Sequence, residues 1–117
     1  MDRTELEERT KKFSINVIQL VATLHKNKAT DVISYQILKS ATSIGANYRE
    51  AARAESKADF IHKIGVVEKE ASETIYWLEL IKESLVPNDN TIDNLLKECH
   101  ELLAIFVVTG KTAKRRR

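Results

Sequence analysis

Residues 60–85 read FIHKIGVVEKEASETIYWLELIKESL, which is the most regular stretch of the chain. Mostly apolar residues recur in it at alternating steps of four and three, the spacing of the buried face of a bundle helix. This face consists of Phe60, Ile64, Val67, Ala71, Thr74, Leu78, Ile81 and Leu85. Ser56 and Asp59 resemble a capping box, and Pro87 cannot continue a helix. We therefore predict a long helix that begins after Ser56 and ends at Pro87.

Three other segments show helical spacing, and none shows the strict alternation of a strand. They predict helices over about residues 4–24, 30–54 and 91–108. Thr30 and Asp31 are expected to cap the second helix. Asn27, which tolerates the left-handed conformation, is expected near the end of the first helix, and Gly110 is expected to stop the fourth. The predicted buried stripe of the first helix is Leu6, Phe13, Val17, Leu20 and Leu24. That of the second helix is Ile33, Ile37, Ser40, Ile44, Asn47, Ala51 and Ala54. That of the fourth helix is Ile92, Leu95, Cys99, Leu102 and Phe106.

The connections between the four predicted helices are only a few residues long, and the chain contains 3 Gly and 1 Pro. Short connections make sequential helices antiparallel neighbours. The predicted fold class is therefore all-α, with an antiparallel up-down-up-down four-helix bundle. We expect a single domain over residues 1–110, followed by a basic, flexible tail over residues 111–117.

The net charge of +2 hides an uneven distribution along the 117 residues. Residues 111–117 hold five of the 19 basic groups, so residues 1–110 carry 14 basic and 17 acidic groups. Basic groups outnumber acidic ones over residues 39–69, whereas residues 70–110 have two basic against eight acidic groups. A nucleic acid would therefore meet a local patch and the tail, because the chain as a whole is not strongly cationic.

No stretch reaches the ~18 apolar residues that a membrane-spanning helix needs, and residues 1–12 are mostly charged. We therefore expect no signal peptide and no membrane partner. The lone Cys99 cannot form an internal disulfide, which fits a reducing compartment. The expected location is the cytoplasm.

The sequence offers little for catalysis. Bundles that hold two metal ions use Glu-x-x-His pairs on facing helices, and this sequence contains no such pair. Cys99 falls on the apolar stripe of the fourth helix, where a free cysteine usually acts as a small buried hydrophobe. No glycine-rich loop is available to hold a phosphate. We expect no catalytic residue, no metal site, no cofactor and no enzymatic activity.

Basic residues cluster around the predicted second connection of the bundle. Arg49 and Arg53 are one helical turn apart, and Lys57 follows just beyond them. With Lys63 and Lys69 from the third helix they form a candidate phosphate-binding patch, to which residues 114–117 would add further contacts. The alternative is a solvated face on which Arg49 pairs with Glu50 or Glu55. Few aromatic residues accompany these charges, so RNA would be recognised by its shape and backbone and not by base stacking.

A second stripe on the third helix lies off the predicted core face. It consists of Val66, Glu70, Glu73, Trp77 and Leu80, again at steps of three and four. A monomeric bundle has no need of a tryptophan there, and aromatic residues are enriched at subunit interfaces. The stripe therefore indicates an oligomer interface with Trp77 as its anchor. The alternative is that Trp77 only covers the edge of the core.

Three stretches of the chain resemble one family pattern. They read SATSIGANYREA at residues 40–51, SKADFI at residues 56–61 and KEASETIYWL at residues 69–78. Together they are similar to the bacterial four-helix-bundle family of 23S ribosomal-RNA intervening-sequence proteins, over roughly residues 10–108. The resemblance implies a protein encoded within, or related to proteins encoded within, insertions in large-subunit ribosomal RNA genes. It also implies kinship with the accessory variability proteins of diversity-generating retroelements, which are homopentamers with a basic surface that engages RNA and a reverse transcriptase.

Several residues match the family pattern position by position. By this resemblance Ser40, Asn47 and Glu50 form a polar core motif on the second helix, and Glu70, Glu73 and Trp77 form the signature of the third helix.

The resulting functional prediction is a non-enzymatic homo-oligomer, a pentamer by resemblance. It would bind structured RNA or a ribonucleoprotein through Arg49, Arg53, Lys57, Lys63 and Lys69. The alternative is a protein-interaction adaptor or accessory subunit, for example of a reverse transcriptase, without direct RNA binding. Its acidic fourth helix, with Glu98 and Glu101, would then meet a basic partner.

Overall fold

Four α-helices form the regular structure of the chain. The computed structural model describes residues 1–86 and 89–116. The helices are α1 (Arg3–Thr23), α2 (Lys28–Ala52), α3 (Lys57–Ser84) and α4 (Asn90–Arg115). The predicted all-α fold class is confirmed. The predicted helix end at Pro87 lies outside the described residues, and α3 itself ends at Ser84.

Two contacts in each of two helix pairs establish the antiparallel order. Between α1 and α2, Ser14 Oγ lies 3.3 Å from the Ala41 carbonyl oxygen, and the earlier residue Glu7 pairs with the later residue Arg49. Between α3 and α4, Cys99 Sγ donates to the Ala71 carbonyl oxygen at 3.4 Å, and the later residue Lys82 pairs with the earlier residue Asp93. Each helix packs against its neighbours in sequence, and α4 closes the bundle against α1. The α2–α3 seam is the most extensive of the four and the α1–α4 seam the least, so α2 and α3 form the centre of the fold.

The helix starts follow from capping side chains. Ser56 Oγ accepts a hydrogen bond from the Asp59 N–H at 3.0 Å, which confirms the predicted cap of α3. The predicted cap of α2 at Thr30 and Asp31 is wrong. Asn27 Oδ1 instead accepts from the Thr30 N–H at 2.9 Å, so α2 begins at Lys28. Asn27 therefore has the extended backbone of a cap, with φ −159°, and not the expected left-handed conformation.

The core contains most of the predicted stripes. All five predicted residues of α4 are buried, and the α3 stripe is buried except at Phe60 and Leu85, where it is half-buried. For the second helix the prediction is only partly right, because Ile33 and Asn47 are half-buried and the half-buried Ala54 lies beyond the end of α2 at Ala52. Helix α2 packs between α1 and α3 and therefore also buries a second stripe. That stripe consists of Ala41, Gly45 and Tyr48.

Helix α4 does not stop at Gly110, as the sequence had led us to expect, but runs on to Arg115. Gly110 is buried against α3, and a Cβ atom there would lie 3.4 Å from Ile64 Cγ2 and 3.0 Å from Glu68 Oε2. Gly110 therefore serves close packing and not chain reversal. Cationic Lys114 and Arg115 in the last turn interact favourably with the helix dipole. The mobility of residues 111–117 stays a prediction, and Arg117 lies outside the described residues.

Two buried hydroxyls connect the central helices. Thr74 Oγ1 of α3 lies 2.9 Å from Ser40 Oγ of α2, and both side chains are almost completely inaccessible. Each hydroxyl carries one hydrogen, so one donates across the seam while the other donates to a carbonyl oxygen of its own helix. Those carbonyl oxygens are Glu70 O, 2.8 Å from Thr74 Oγ1, and Ile37 O, 3.3 Å from Ser40 Oγ.

Thr74→Val is expected to lower the free energy of unfolding by about 1–3 kcal/mol, because it removes the partner of a buried hydroxyl. In a Ser40→Ala background the same change should cost less, since no hydroxyl then faces the valine. Urea unfolding of the four proteins measures both costs. An equal cost in the two backgrounds would contradict a coupled pair.

Gly65→Ala and Gly45→Ala form a matched pair of helix-interior substitutions. Nothing lies within 4 Å of a Cβ at Gly65, whereas a Cβ at Gly45 would lie 3.1 Å from Thr10 Oγ1 and 3.3 Å from Thr10 Cβ. Gly65→Ala should raise the free energy of unfolding by about 1 kcal/mol through helix propensity. Gly45→Ala should lose that gain to crowding between α1 and α2. Equal stabilisation in urea unfolding would show that the seam is looser than described.

Candidate nucleic-acid interface

The predicted basic residues are centred on the connection between α2 and α3. Arg49, Arg53 and Lys57 are exposed there, and Arg53 Nη1 donates to the Arg49 carbonyl oxygen at 3.1 Å. Lys69 is twelve residues beyond Lys57, or about 18 Å along α3. The structure thus brings Arg49, Arg53 and Lys57 to one end of the bundle and leaves Lys69 on its side.

Two of the predicted patch residues have acidic partners. Arg49 Nε lies 3.6 Å from Glu7 Oε1 of α1, so the expected partners Glu50 and Glu55 are wrong. Lys63 Nζ donates to Glu50 Oε1 at 3.3 Å across the α2–α3 seam. These pairs are partly exposed and weak, but they reduce the positive potential that Arg49 and Lys63 present to a ligand.

Helix α4 adds cations to the same end. Its last turns lie beside the start of α3, because Lys57 and Phe60 share one groove with residues from Val108 to Arg116. Lys111, Lys114, Arg115 and Arg116 are exposed. We call the basic end the set Arg49, Arg53, Lys57, Lys111, Lys114, Arg115 and Arg116. Among the residues that the structure describes, none of this set except Arg49 forms an ion pair.

Sequence reasoning missed the helical form of this last segment. The signal was present, since Gly110 follows Phe106 by four residues and so continues the buried stripe of α4. Reading the glycine as a helix stop separated Lys111 and the following cations from the bundle.

The off-core stripe of α3 lies along the edge of the α2–α3 seam. Its members Val66, Glu70, Glu73, Trp77 and Leu80 are all half-buried. Trp77 packs against the core, and its Nε1 donates to Glu73 Oε1 at 3.4 Å. Burial, followed by the charge of Glu73, raises the pKa of Glu70. Within the single chain Trp77 therefore covers the core edge, and a subunit interface here stays a prediction.

The polar core motif is smaller than the resemblance implied. Ser40 is buried and bonded to Thr74, whereas Asn47 is half-buried and donates from Nδ2 to the Ser43 carbonyl oxygen at 2.8 Å. Glu50 is not a core residue in the single chain. It lies on the outer side of α2, where its side chain is 59% exposed and pairs with Lys63.

The acidic residues of α4 are engaged by α1. Arg9 donates to Glu98 through Nε at 2.7 Å and through Nη2 at 2.6 Å, and Nη2 also reaches Glu101 Oε1 at 3.1 Å. The hydrogen bond to Glu98 raises the pKa of Arg9, so the guanidinium stays charged. An external basic partner would have to compete with Arg9 for these carboxylates.

The described residues contain no group of three or more His, Cys, Asp or Glu side chains that could hold a metal ion. Cys99 is fully buried, and burial raises the pKa of its thiol to about 12. A thiol with this pKa is protonated at neutral pH, so it is a poor nucleophile. In the same part of the chain, no helix is both long and apolar enough to cross a membrane.

The similarity of this chain to known proteins identifies its family. Among curated proteins, none matches the chain. A crystal structure of a protein of unknown function from the S23 ribosomal protein family of Bacteroides thetaiotaomicron is similar, with a TM-score of 0.83 and 35% sequence identity. The similarity covers 91% of this chain and 98% of that one. The model of the 23S rRNA-intervening sequence protein family matches residues 3–107, and the chain belongs to that family.

Proposed function

We propose that this chain is a non-catalytic RNA-binding protein that uses its basic end to contact the phosphates of structured RNA. The observation that carries the proposal is the helical extension of α4, which joins Lys111 and three following cations to Arg53 and Lys57. The family name, with its reference to ribosomal RNA, agrees with this role. Because six of these cations have no acidic partner within the described residues, phosphates meet them without first breaking an ion pair.

The arrangement suits the backbone of RNA better than its sequence. Cations from α2, α3 and α4 converge on one end, so they can meet phosphates from more than one strand or turn. Each neutralised phosphate releases condensed counterions, which makes such binding strongly dependent on salt. An RNA fold with closely spaced phosphates would gain most from the basic end.

Charge reversal with Arg53→Glu and Lys57→Glu should weaken binding to an RNA hairpin by more than tenfold at ~100 mM salt and reduce the salt slope. The matched control is Lys26→Glu with Lys28→Glu at the opposite end. It makes the same change of charge, and Lys28 and Lys57 are both the first residues of their helices. Filter binding at two salt concentrations measures both effects.

Equal weakening by the two pairs of substitutions would mean that only net charge matters, and the basic end would lose its assignment. No binding by the full-length chain at low salt would contradict RNA binding altogether. That result would leave the adaptor role as the better hypothesis.

We further propose that the chain self-associates through the α3 stripe, with the pentamer suggested by the family resemblance as the expected state. The stripe offers Trp77 as a large half-buried anchor, with Val66 and Leu80 at its two ends. The carboxylates Glu70 and Glu73 lie between them. The raised pKa of Glu70 fits an environment that is already partly desolvated and would become more so in an interface.

Trp77→Ala and, separately, Leu80→Lys should lower the mass measured by light scattering, because both remove the apolar part of the stripe. Substitution at Leu80 disturbs the fold of the single chain less than substitution at Trp77, since Leu80 does not belong to the residues packed against the core. Ile18→Ala is the control, because Ile18 is a 48% exposed apolar residue of α1, a helix that does not pack against α3. An unchanged mass in both variants, with helicity retained by circular dichroism, would contradict this interface.

A further inference from the structure

The basic end contains a groove that the shorter α1 leaves uncovered. Arg9 contacts Glu98 and Glu101, so α1 and α4 lie side by side at that level. From there α1 continues for six residues to Arg3, whereas α4 continues for fourteen residues to Arg115. At 1.5 Å per residue, α4 extends roughly 12 Å, or about two turns, beyond α1. Of the four helices, α3 is the one whose first turns pack beside this extension.

Both apolar and cationic side chains line this terminal groove. It is lined by Lys57, Phe60, Val108, Thr109, Thr112, Ala113 and Arg116 and has a volume of about 420 Å³. Phe60 is half-buried, whereas Val108 is 61% exposed, so an apolar surface is open to solvent. Its cationic lining residues are Lys57 at the start of α3 and Arg116 just after the end of α4, and no carboxylate side chain of the described residues lines the groove. The groove therefore suits a ligand that is flat and apolar in one part and anionic in another.

We propose that the terminal groove receives an unpaired base of the bound RNA, while Lys57 and Arg116 contact the phosphates that flank that base. This inference rests on the proposed RNA-binding function and narrows its ligand to RNA with single-stranded nucleotides. An unstacked base offers a flat face to Phe60, and the exposed Thr112 hydroxyl can hydrogen-bond a base edge. A base inside a duplex is stacked and paired, so it cannot enter. The proposal departs from the expectation that aromatic stacking plays no part.

An acidic amphipathic protein segment is the main competing ligand, and the groove suits it less well. A helix bound in a groove presents several successive apolar anchors along its length. Here the apolar lining consists of the Phe60 ring, Val108 and Ala113. This lining matches one flat group better than a row of side chains. The two lining cations, Lys57 at the start of α3 and Arg116 after the end of α4, also fit phosphates on the two sides of one nucleotide.

The test uses two RNAs with the same number of phosphates, a hairpin with an unpaired loop and a fully paired duplex. The loop carries one 2-aminopurine, whose fluorescence reports stacking. The full-length chain should bind the hairpin roughly tenfold more tightly than the duplex, the size expected for one stacked base. The 2-aminopurine signal should change on binding.

Val108→Ser should reduce this preference toward unity without altering the salt slope, because it removes apolar surface and no charge. Val32→Ser is the matched control, since Val32 is 57% exposed at the other end of the bundle. Phe60→Leu is a second variant that removes the ring on which the base would stack and keeps an apolar side chain in the groove, and it should also abolish the preference.

Equal binding of hairpin and duplex by the full-length chain, with a steep salt slope, would overturn the base site and leave phosphate binding intact. Retention of the preference in both groove variants would overturn it as well. Absence of binding to either RNA would overturn both proposals. If a Glu- and Leu-rich helical peptide binds the full-length chain but not Val108→Ser, and no loop preference exists, the groove belongs to a protein partner.

Discussion

The buried hydroxyl contact between Ser40 and Thr74 is the constraint on which the rest of the bundle depends. A shift of α3 along α2 would cost each buried hydroxyl its partner across the seam and leave it only the carbonyl oxygen of its own helix. The contact thereby favours one register of the two central helices. In that register Glu50 lies opposite Lys63, and the end of α2 meets the start of α3. The position of the basic end follows from this choice.

Much of the fold could be predicted from the sequence because the buried stripes of α3 and α4 are unbroken. Their spacing specifies a helix and the face that it buries, and both were confirmed. The predicted helix boundaries were wrong at residues whose type can serve either of two structural purposes. Gly110 could end a helix or allow close packing, and only the presence of Ile64 beside it decides for packing. Asn27 could likewise end α1 or cap α2, and the Thr30 N–H decides for the cap.

The candidate site was less predictable, because it depends on partners that are distant in sequence. Glu7 is more than forty residues from Arg49, and Arg9 is about ninety from Glu98, so neither pair can be inferred from local spacing. The terminal groove depends on a difference in length between α1 and α4. To predict such a difference, one must know the register of the helices at three of the seams between them. Periodicity within one helix carries no information about that register.

The two proposed surfaces are compatible in one assembly, because they occupy different parts of the bundle. The α3 stripe runs along the side, whereas the basic end and its groove lie at one tip. Contacts along the side can close a ring by rotation about one axis, and every copy in such a ring presents the same tip to the same face. Each added copy then contributes a further set of cations at short range. If both proposals hold, an RNA held by one basic end would meet the neighbouring basic ends at high effective concentration, so that weak individual contacts would combine into firm binding.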